Sequence, residues 1–280
     1  MSDSNGMMHP VVRMIRPLNS LMSSFSIPIV MITLFGFDIF GPTMLIHTVI
    51  GMAIVFLFTS AGNILNDYMD REVDKFNHPK RPIPSGEVRP KEALIYSVGM
   101  FIVAILISAF LPFYLPQIIV LSAIILLISY EWRFKKSGLT GNIIISFLTG
   151  LVFVFGGAIY GKLYLPAILG LLAMLASVGR EITKDIQDMK GDLDRKTFPM
   201  RVGKGKAQYT VILFVATAVF LSPLPYIENL LSESYLIIVV LADIIFIYSL
   251  LILEDAEKSQ KFNKTGMIIA LIAFLVGGIL

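Results

Sequence analysis

The sequence predicts an all-α polytopic membrane protein, with nine transmembrane helices bundled around a central cavity and the N-terminus in the cytoplasm. Three observations carry that reading. Of 280 residues, 56% are hydrophobic and only 15% charged, with a mean hydropathy of +0.79; an ordinary soluble domain is about a quarter charged. Apolar runs of about 20 residues, enough to cross a bilayer, recur along the chain. All basic residues but one fall at the same end of these runs, before the first and then at every second junction.

The runs fall at 18–37, 43–65, 93–111, 116–132, 142–160, 164–181, 209–224, 234–253 and 266–280. Pro42, Pro112, Pro116, Pro223 and Pro225 punctuate the junctions, as expected of residues that cannot continue a helix interior. No stretch alternates as the strands of a membrane β-barrel do. The opening M-S-D-S-N-G-M-M-H-P lacks the basic region and cleavable apolar core of a signal peptide. There is no cysteine, so disulfides, thiolate nucleophiles and cysteine-ligated metals are excluded.

With nine spans, every Lys and Arg except Lys162 falls on the side of the N-terminus. The positive-inside rule makes that side cytoplasmic. The pI near 9 would suggest nucleic acid for a soluble chain. Here the basic residues lie between apolar runs, and anionic lipid head groups or phosphorylated substrates explain them better. The connections 66–92 and 182–208 are the long ones, and function concentrates in long connections on a rigid scaffold.

Both long connections carry a column of acids. Asp67, Asp70 and Asp74 are spaced three and then four apart, which places them on one face of a helix. Asn63 extends the stripe one turn back. Asp185, Asp188 and Asp192 repeat the spacing at an offset of 118 residues, with Glu181 where Asn63 stood. For one D-x-x-D alone, a solvated helix end is the better reading. Two matched columns at the ends of the second and sixth spans read as a duplicated unit, and such repeats tend to carry a site at their interface. A single transmembrane domain with pseudo-repeats at 18–132 and 142–253 and a ninth helix is therefore expected, with active-site loops at 66–92 and 182–208. Six carboxylates around one cavity repel one another unless cations intervene. Mg²⁺, in two ions, suits an oxygen-only donor set and takes its remaining ligands from phosphates. The pattern implies a diphosphate substrate. Arg71, Lys75, Arg81, Lys184, Lys190 and Arg195 interleave with the columns and could hold its outer oxygens, or serve only as positive-inside charge.

N-D-Y-M-D-R-E-V-D from Asn66 to Asp74, the following N-H-P-K-R-P-I-P-S-G from Asn77 to Gly86, and D-I-Q-D-M-K-G-D from Asp185 resemble the two aspartate motifs of the UbiA-type intramembrane prenyltransferases. The nine-span plan is similar too. The N-x-x-N-D start and the R-P-I-P-S-G loop most resemble the archaeal ether-lipid branch, and Arg16-Pro17-x-Asn19 resembles the family's N-terminal pattern. The resemblance implies Asn66, Asp67, Asp70, Asp74, Asp185, Asp188 and Asp192 at a Mg²⁺–diphosphate site, with Asn19 nearby. It also implies transfer of a geranylgeranyl group from its diphosphate to 3-O-geranylgeranylglyceryl phosphate, a lipid-like acceptor. Such an acceptor needs its own cation: Arg133, Lys135, Lys136, Lys204 and Lys206 are candidates, or else bind lipid. Tyr68 and Tyr130 lie nearest the expected site. Phe147, Phe153, Phe155 and Tyr160 could stabilise an allylic cation or simply pack. An aromatic acceptor is the alternative within the enzyme class. Outside it, the alternative is a cation or metabolite transporter, against which the acids at one membrane face argue. Gly157-x-x-x-Gly161 suggests close helix packing.

Overall fold

A computed structural model describes residues 8–189 and 197–279. Among them there is no strand, and nine helical segments are long and apolar enough to cross a membrane. In chain order the helices are α1 Pro10–Ile15, α2 Pro17–Ser24, α3 Ser26–Phe35, α4 Pro42–Met69, α5 Arg71–Asn77, α6 Pro90–Ser108 and α7 Leu115–Trp132. They continue as α8 Leu139–Ala158, α9 Tyr164–Asp188, α10 Phe198–Val202, α11 Lys204–Leu221, α12 Leu224–Ile227, α13 Glu233–Leu251 and α14 Ala256–Ile279. The chain is a multi-pass membrane protein.

Proline opens several of these helices. Pro42 and Pro90 occupy first positions of α4 and α6, where a missing N–H costs nothing. Glu92 then accepts the Arg89 backbone N–H at 3.1 Å and closes the start of α6. Pro28 has the opposite effect. It lies in the first turn of α3, cannot donate, and would clash with the carbonyl four residues back; the first span accordingly breaks at Phe25 into α2 and α3. That discontinuity is not visible in the apolar pattern. The seventh and ninth spans start earlier than their apolar runs, at Lys204 and Ala256. Helix geometry continues through the lysines of those first turns, whereas hydropathy marks only the part suited to lipid.

The spans close into a ring. Contacts run from α3 to α4, α4 to α6, α6 to α7, α7 to α8, α8 to α9, α9 to α11, α11 to α13 and α13 to α14, and α14 returns to α3. The outer faces are apolar, with Leu106, Ile125, Leu213, Phe220 and Leu251 exposed, as lipid demands. Helix–helix approach depends on small residues, since lipid offers no hydrophobic drive. One such close approach pairs Gly150 of α8 with Gly170 of α9: a Cβ on Gly150 would lie 2.3 Å from the Gly170 carbonyl oxygen. Of the expected Gly157–Gly161 pair, Gly157 packs closely on α9, where an added Cβ would lie 2.4 Å from Pro166 Cγ, while Gly161 sits in a turn at φ +67°. Buried polar groups tie the ring: Thr33 Oγ1 donates to the Phe274 carbonyl at 3.1 Å, and Ser222 Oγ donates to Asp243 at 2.6 Å.

The long connections gather at one end. Arg13 bonds Glu87, Arg16 bonds Asp67, Lys135 bonds Asp70 and Arg201 bonds the Lys136 carbonyl. Parts of both connections that were expected to be loop are helical, because α4 and α9 extend beyond the apolar runs.

Candidate active site

The last turns of α4 carry Asn63, Asn66 and Asp67. The helix stops at Asp70, whose backbone sits at φ −86° and ψ 1°, and α5 resumes at Arg71. Asp74 still donates its N–H to the Asp70 carbonyl at 2.9 Å, so the one-turn spacing persists across the break. The side chains nonetheless part company. Arg81 Nη1 donates to Asp74 Oδ2 at 2.6 Å and lies 3.5 Å from Asp67 Oδ1. Arg16 Nη2 donates to the same Asp67 oxygen at 2.6 Å. Asp67 and Asp74 are both buried. Asp70 is reached by Lys135 Nζ at 2.7 Å; that ammonium also donates to Glu131 Oε2 at 2.9 Å. Asn66 donates to the other Glu131 oxygen at 3.1 Å. The single column expected from spacing thus divides into two carboxylate pairs, each bridged by one cation, because the helix interruption at Asp70 turns that residue toward α7.

The second column lies on α9, which runs unbroken through Glu181, Asp185 and Asp188. Asn142 Nδ2 of α8 donates to Asp185 Oδ2 at 2.8 Å. Arg180 donates to Glu181 Oε1 at 2.5 Å. Lys190, Asp192 and Arg195 lie outside the described residues.

Between the two columns a cavity of about 480 Å³ enters the bundle. Its polar end is lined by Arg16, Asn63, Asn66, Glu131, Glu181 and Lys184, together with Asn19, Tyr130 and Arg180. Deeper in, the wall is mostly apolar, with Phe58, Leu148, Phe153, Leu172, Phe246 and Phe274, and the hydrogen-bonded pair Ser222–Asp243 as polar members. The aspartates do not themselves line it; neighbouring residues on the same helix turns do.

Other expected residues are engaged elsewhere. Arg71 donates to the Tyr68 carbonyl at 2.8 Å and stacks 4.6 Å from the Tyr68 ring centroid. Lys75 pairs with exposed Glu72 at 2.7 Å. Lys204 pairs with Glu254 at 2.6 Å, and Arg133 is exposed to one side of the cavity lining. Phe147 faces outward, Phe155 is buried in the packing between helices, and Tyr160 meets His47 at 2.6 Å beyond the far end of α8. Only Phe153 of the four aromatic candidates lines the cavity.

Sequence reasoning left out Glu131 and Asn142 and gave Arg16 only as part of a motif. The available signal for Glu131 and Asn142 was a polar side chain at the end of an apolar run on the basic side. The reason for each is contact across helices, which spacing along one helix does not reveal.

Among the described residues no group of three acidic or histidine side chains is arranged to hold a metal ion. The donor chemistry nevertheless fits Mg²⁺. The side chains are oxygen donors, and they come as pairs of carboxylates held together by a cation. Mg²⁺ needs only one or two protein carboxylates when phosphates complete its shell.

Comparison with known proteins gives the following. The model of the family described as "UbiA prenyltransferase family" matches residues 26–275. A digeranylgeranylglyceryl phosphate synthase of Methanosphaera stadtmanae is 38% identical over 280 residues, covering 97% of this chain and 100% of the relative. The synthase of Methanococcoides burtonii is 43% identical over 240 residues, covering 83% and 85%. A solved structure from work on digeranylgeranylglyceryl phosphate synthase in membranes is 36% identical, superposes with a TM-score of 0.84 and covers 96% of this chain and 98% of that one. A UbiA homolog from Archaeoglobus fulgidus bound to GPP and Mg²⁺ is 20% identical, with a TM-score of 0.70 and coverage of 93% and 99%.

Proposed function

The chain belongs to the UbiA prenyltransferase family, and from that premise we propose that it transfers a geranylgeranyl group from geranylgeranyl diphosphate to 3-O-geranylgeranylglyceryl phosphate. The observation that carries the proposal is the cavity: charged at the end beside the two acidic columns, mostly apolar below. A prenyl diphosphate has the same division. Relatives matched along nearly their full length bear the name of this activity, which favours a lipid acceptor over an aromatic one.

In the proposed reaction the C1–O bond of the donor breaks and diphosphate leaves with the bonding pair. The acceptor hydroxyl oxygen then bonds to C1, its proton is lost, and an ether results. Asn66, Asp67, Asp70, Asp74, Asp185, Asp188 and Asp192 would hold Mg²⁺, in two ions. When bound, Mg²⁺ supplies positive charge against the departing diphosphate and aligns it. Arg16, Arg81 and Lys135 hold the carboxylates in place and can turn to phosphate oxygens. Asn142 orients Asp185, and Asn66 orients Glu131. The apolar wall excludes water, which would quench an allylic cation. Phe153 and Tyr130 offer ring faces to that cation. Because the basic loops share the end that carries the columns, the site faces the cytoplasm in this reading. The two columns represent the matched ends of an ancestral repeat.

Product mass spectrometry tests the assignment. Purified enzyme with Mg²⁺ and geranylgeranyl diphosphate is offered the glyceryl phosphate ether or 4-hydroxybenzoate. Ether product with diphosphate release is expected; a C-prenylated phenol in its place would sink the acceptor assignment while leaving the family intact.

A further inference from the structure

A phosphorylated lipid acceptor brings a second phosphate group into the cavity, separate from the diphosphate of the donor. Its charge must be met by cations that the acidic columns do not consume. Most basic side chains at this end are already committed. Arg81 bridges Asp67 and Asp74, Lys135 bridges Asp70 and Glu131, Lys75 pairs with Glu72 and Lys204 with Glu254. The cavity wall itself carries three cations, Arg16, Arg180 and Lys184. Arg16 is bound to Asp67. Arg180 pairs with Glu181 through Nη2, and Lys184 makes no ion pair among the described residues; the two lie four residues apart on α9 and so on one face of it.

The state of Arg180 is distinctive. Its Nη2 is held by Glu181, which fixes the guanidinium against the cavity wall. Its Nε–H is buried and has no hydrogen-bond partner. An unsatisfied buried donor on a cation is costly and calls for an explanation. The side chain as a whole is 31% exposed, and an anion that drew the guanidinium toward the cavity would satisfy it. Lys184, one turn nearer the open end, is exposed and makes no ion pair among the described residues. A planar donor with a point charge one turn away suits a phosphate monoester.

We propose that Arg180, assisted by Lys184, forms the subsite for the acceptor's phosphate and thereby selects a phosphorylated glyceryl ether over the free alcohol. The subsite deepens the transferase reading above and rests on it. It also moves the acceptor's cation from the loop lysines Lys135, Lys136, Lys204 and Lys206 to the cavity wall. Glu181 serves as the positioning residue of Arg180.

The test uses the full-length enzyme with Mg²⁺ and geranylgeranyl diphosphate. Two acceptors are compared, 3-O-geranylgeranylglyceryl phosphate and the corresponding dephosphorylated alcohol. In Arg180→Gln, kcat/KM for the phosphorylated acceptor should fall by on the order of ten- to a hundredfold, the range of a hydrogen bond to a charged group. The KM for geranylgeranyl diphosphate and the rate with the alcohol should hardly change, so the preference for phosphate collapses. Lys184→Gln should lower the same preference less, and Arg180→Lys should restore part of it. If Arg180→Gln keeps the wild-type preference, or loses both acceptors equally, the subsite is refuted. Should Arg180→Gln fail to fold, Arg180→Lys and Lys184→Gln read the same ratio, and an unchanged ratio in both refutes it equally. A wild-type enzyme that ignores both lipids and prenylates 4-hydroxybenzoate overturns the parent reading, and the subsite with it.

Discussion

The Lys135 ammonium lies 2.7 Å from Asp70 Oδ2, joining the end of α4 to the turn after α7 across sixty-five residues of sequence. The same nitrogen is 2.9 Å from Glu131, a carboxylate only 5% exposed in its side chain. Removing a partner from such a buried pair leaves an uncompensated charge, which typically costs about 3–5 kcal/mol. Lys135→Met should therefore destabilise the protein by about 3 kcal/mol, read from the chemical unfolding midpoint in detergent. The double variant Lys135→Met with Glu131→Gln should recover much of that loss. No recovery would mean that Lys135 acts through Asp70 alone.

The columns themselves make the sharper functional prediction. Asp67→Asn and Asp185→Asn keep shape and hydrogen-bonding capacity but remove charge where a diphosphate must be held. Loss of a preorganised electrostatic contact commonly costs about a hundredfold or more in turnover. Diphosphate release in saturating Mg²⁺ should fall by at least that much in each variant; Asp67→Asn should also lower the unfolding midpoint, because Arg16 and Arg81 lose a buried carboxylate partner. Unchanged release would remove the columns from the site.

The nine spans and the two columns were legible because bilayer length and helix periodicity leave direct marks in sequence. Asp67, Asp70 and Asp74 could be read as neighbours along a helix, and one turn still separates them. What could not be read was their parting. It depends on α4 ending at Asp70 and on Arg81, Arg16 and Lys135 arriving from other elements. Glu131 and Asn142 are silent in sequence for the same reason, since each matters through a side chain on another helix. Arg71 shows the converse: adjacency to the column suggested a phosphate contact, yet its guanidinium folds back onto Tyr68.

The Gly150–Gly170 contact sets the separation of α8 and α9, and therefore the reach of Asn142 to Asp185. A methyl group at Gly150 would meet the Gly170 carbonyl at 2.3 Å, so backbone must move. Overpacking of this kind costs typically about 1–3 kcal/mol. Gly150→Ala should lower the unfolding midpoint accordingly and reduce turnover through the displaced Asp185. Gly99 of α6 is the control, with open space where its Cβ would lie. Gly99→Ala should be neutral or stabilising by up to about 1 kcal/mol.

The hydrogen bond from Arg13, aided by Ser85, holds the exposed Glu87 carboxyl below its ordinary value. A carboxyl depressed in the folded state stabilises it above the unfolded pKa, and that contribution fades as pH falls through the folded pKa. The tether of α1 to the loop before α6 should thus persist from neutral pH down through the ordinary carboxylate range and loosen only in stronger acid. Proteolysis between α1 and α2, followed from pH 7 downward with an acid-tolerant protease, should accelerate at the acidic end. Glu87→Gln should be cut faster at pH 7 and lose the pH dependence. A wild-type cutting rate that rises already near pH 6 would contradict the assignment.

Metal removal should separate catalysis from folding. Asp67, Asp74, Asp70 and Glu131 are each bonded to Arg16, Arg81 or Lys135 without any divalent ion. Their mutual repulsion is already offset, so chelation should abolish turnover yet leave the unfolding temperature nearly unchanged. Mg²⁺ alone must compete with those cations and should stabilise little. Mg²⁺ with a non-reactive prenyl diphosphate analogue gives the arginines phosphate oxygens to turn to, and the unfolding temperature should rise with ligand concentration as binding linkage requires. Thermal unfolding in detergent, with each addition separately and together, reads the difference. A large stabilisation by Mg²⁺ alone would mean that the carboxylates are preset for metal and that the cation bridges give way without substrate.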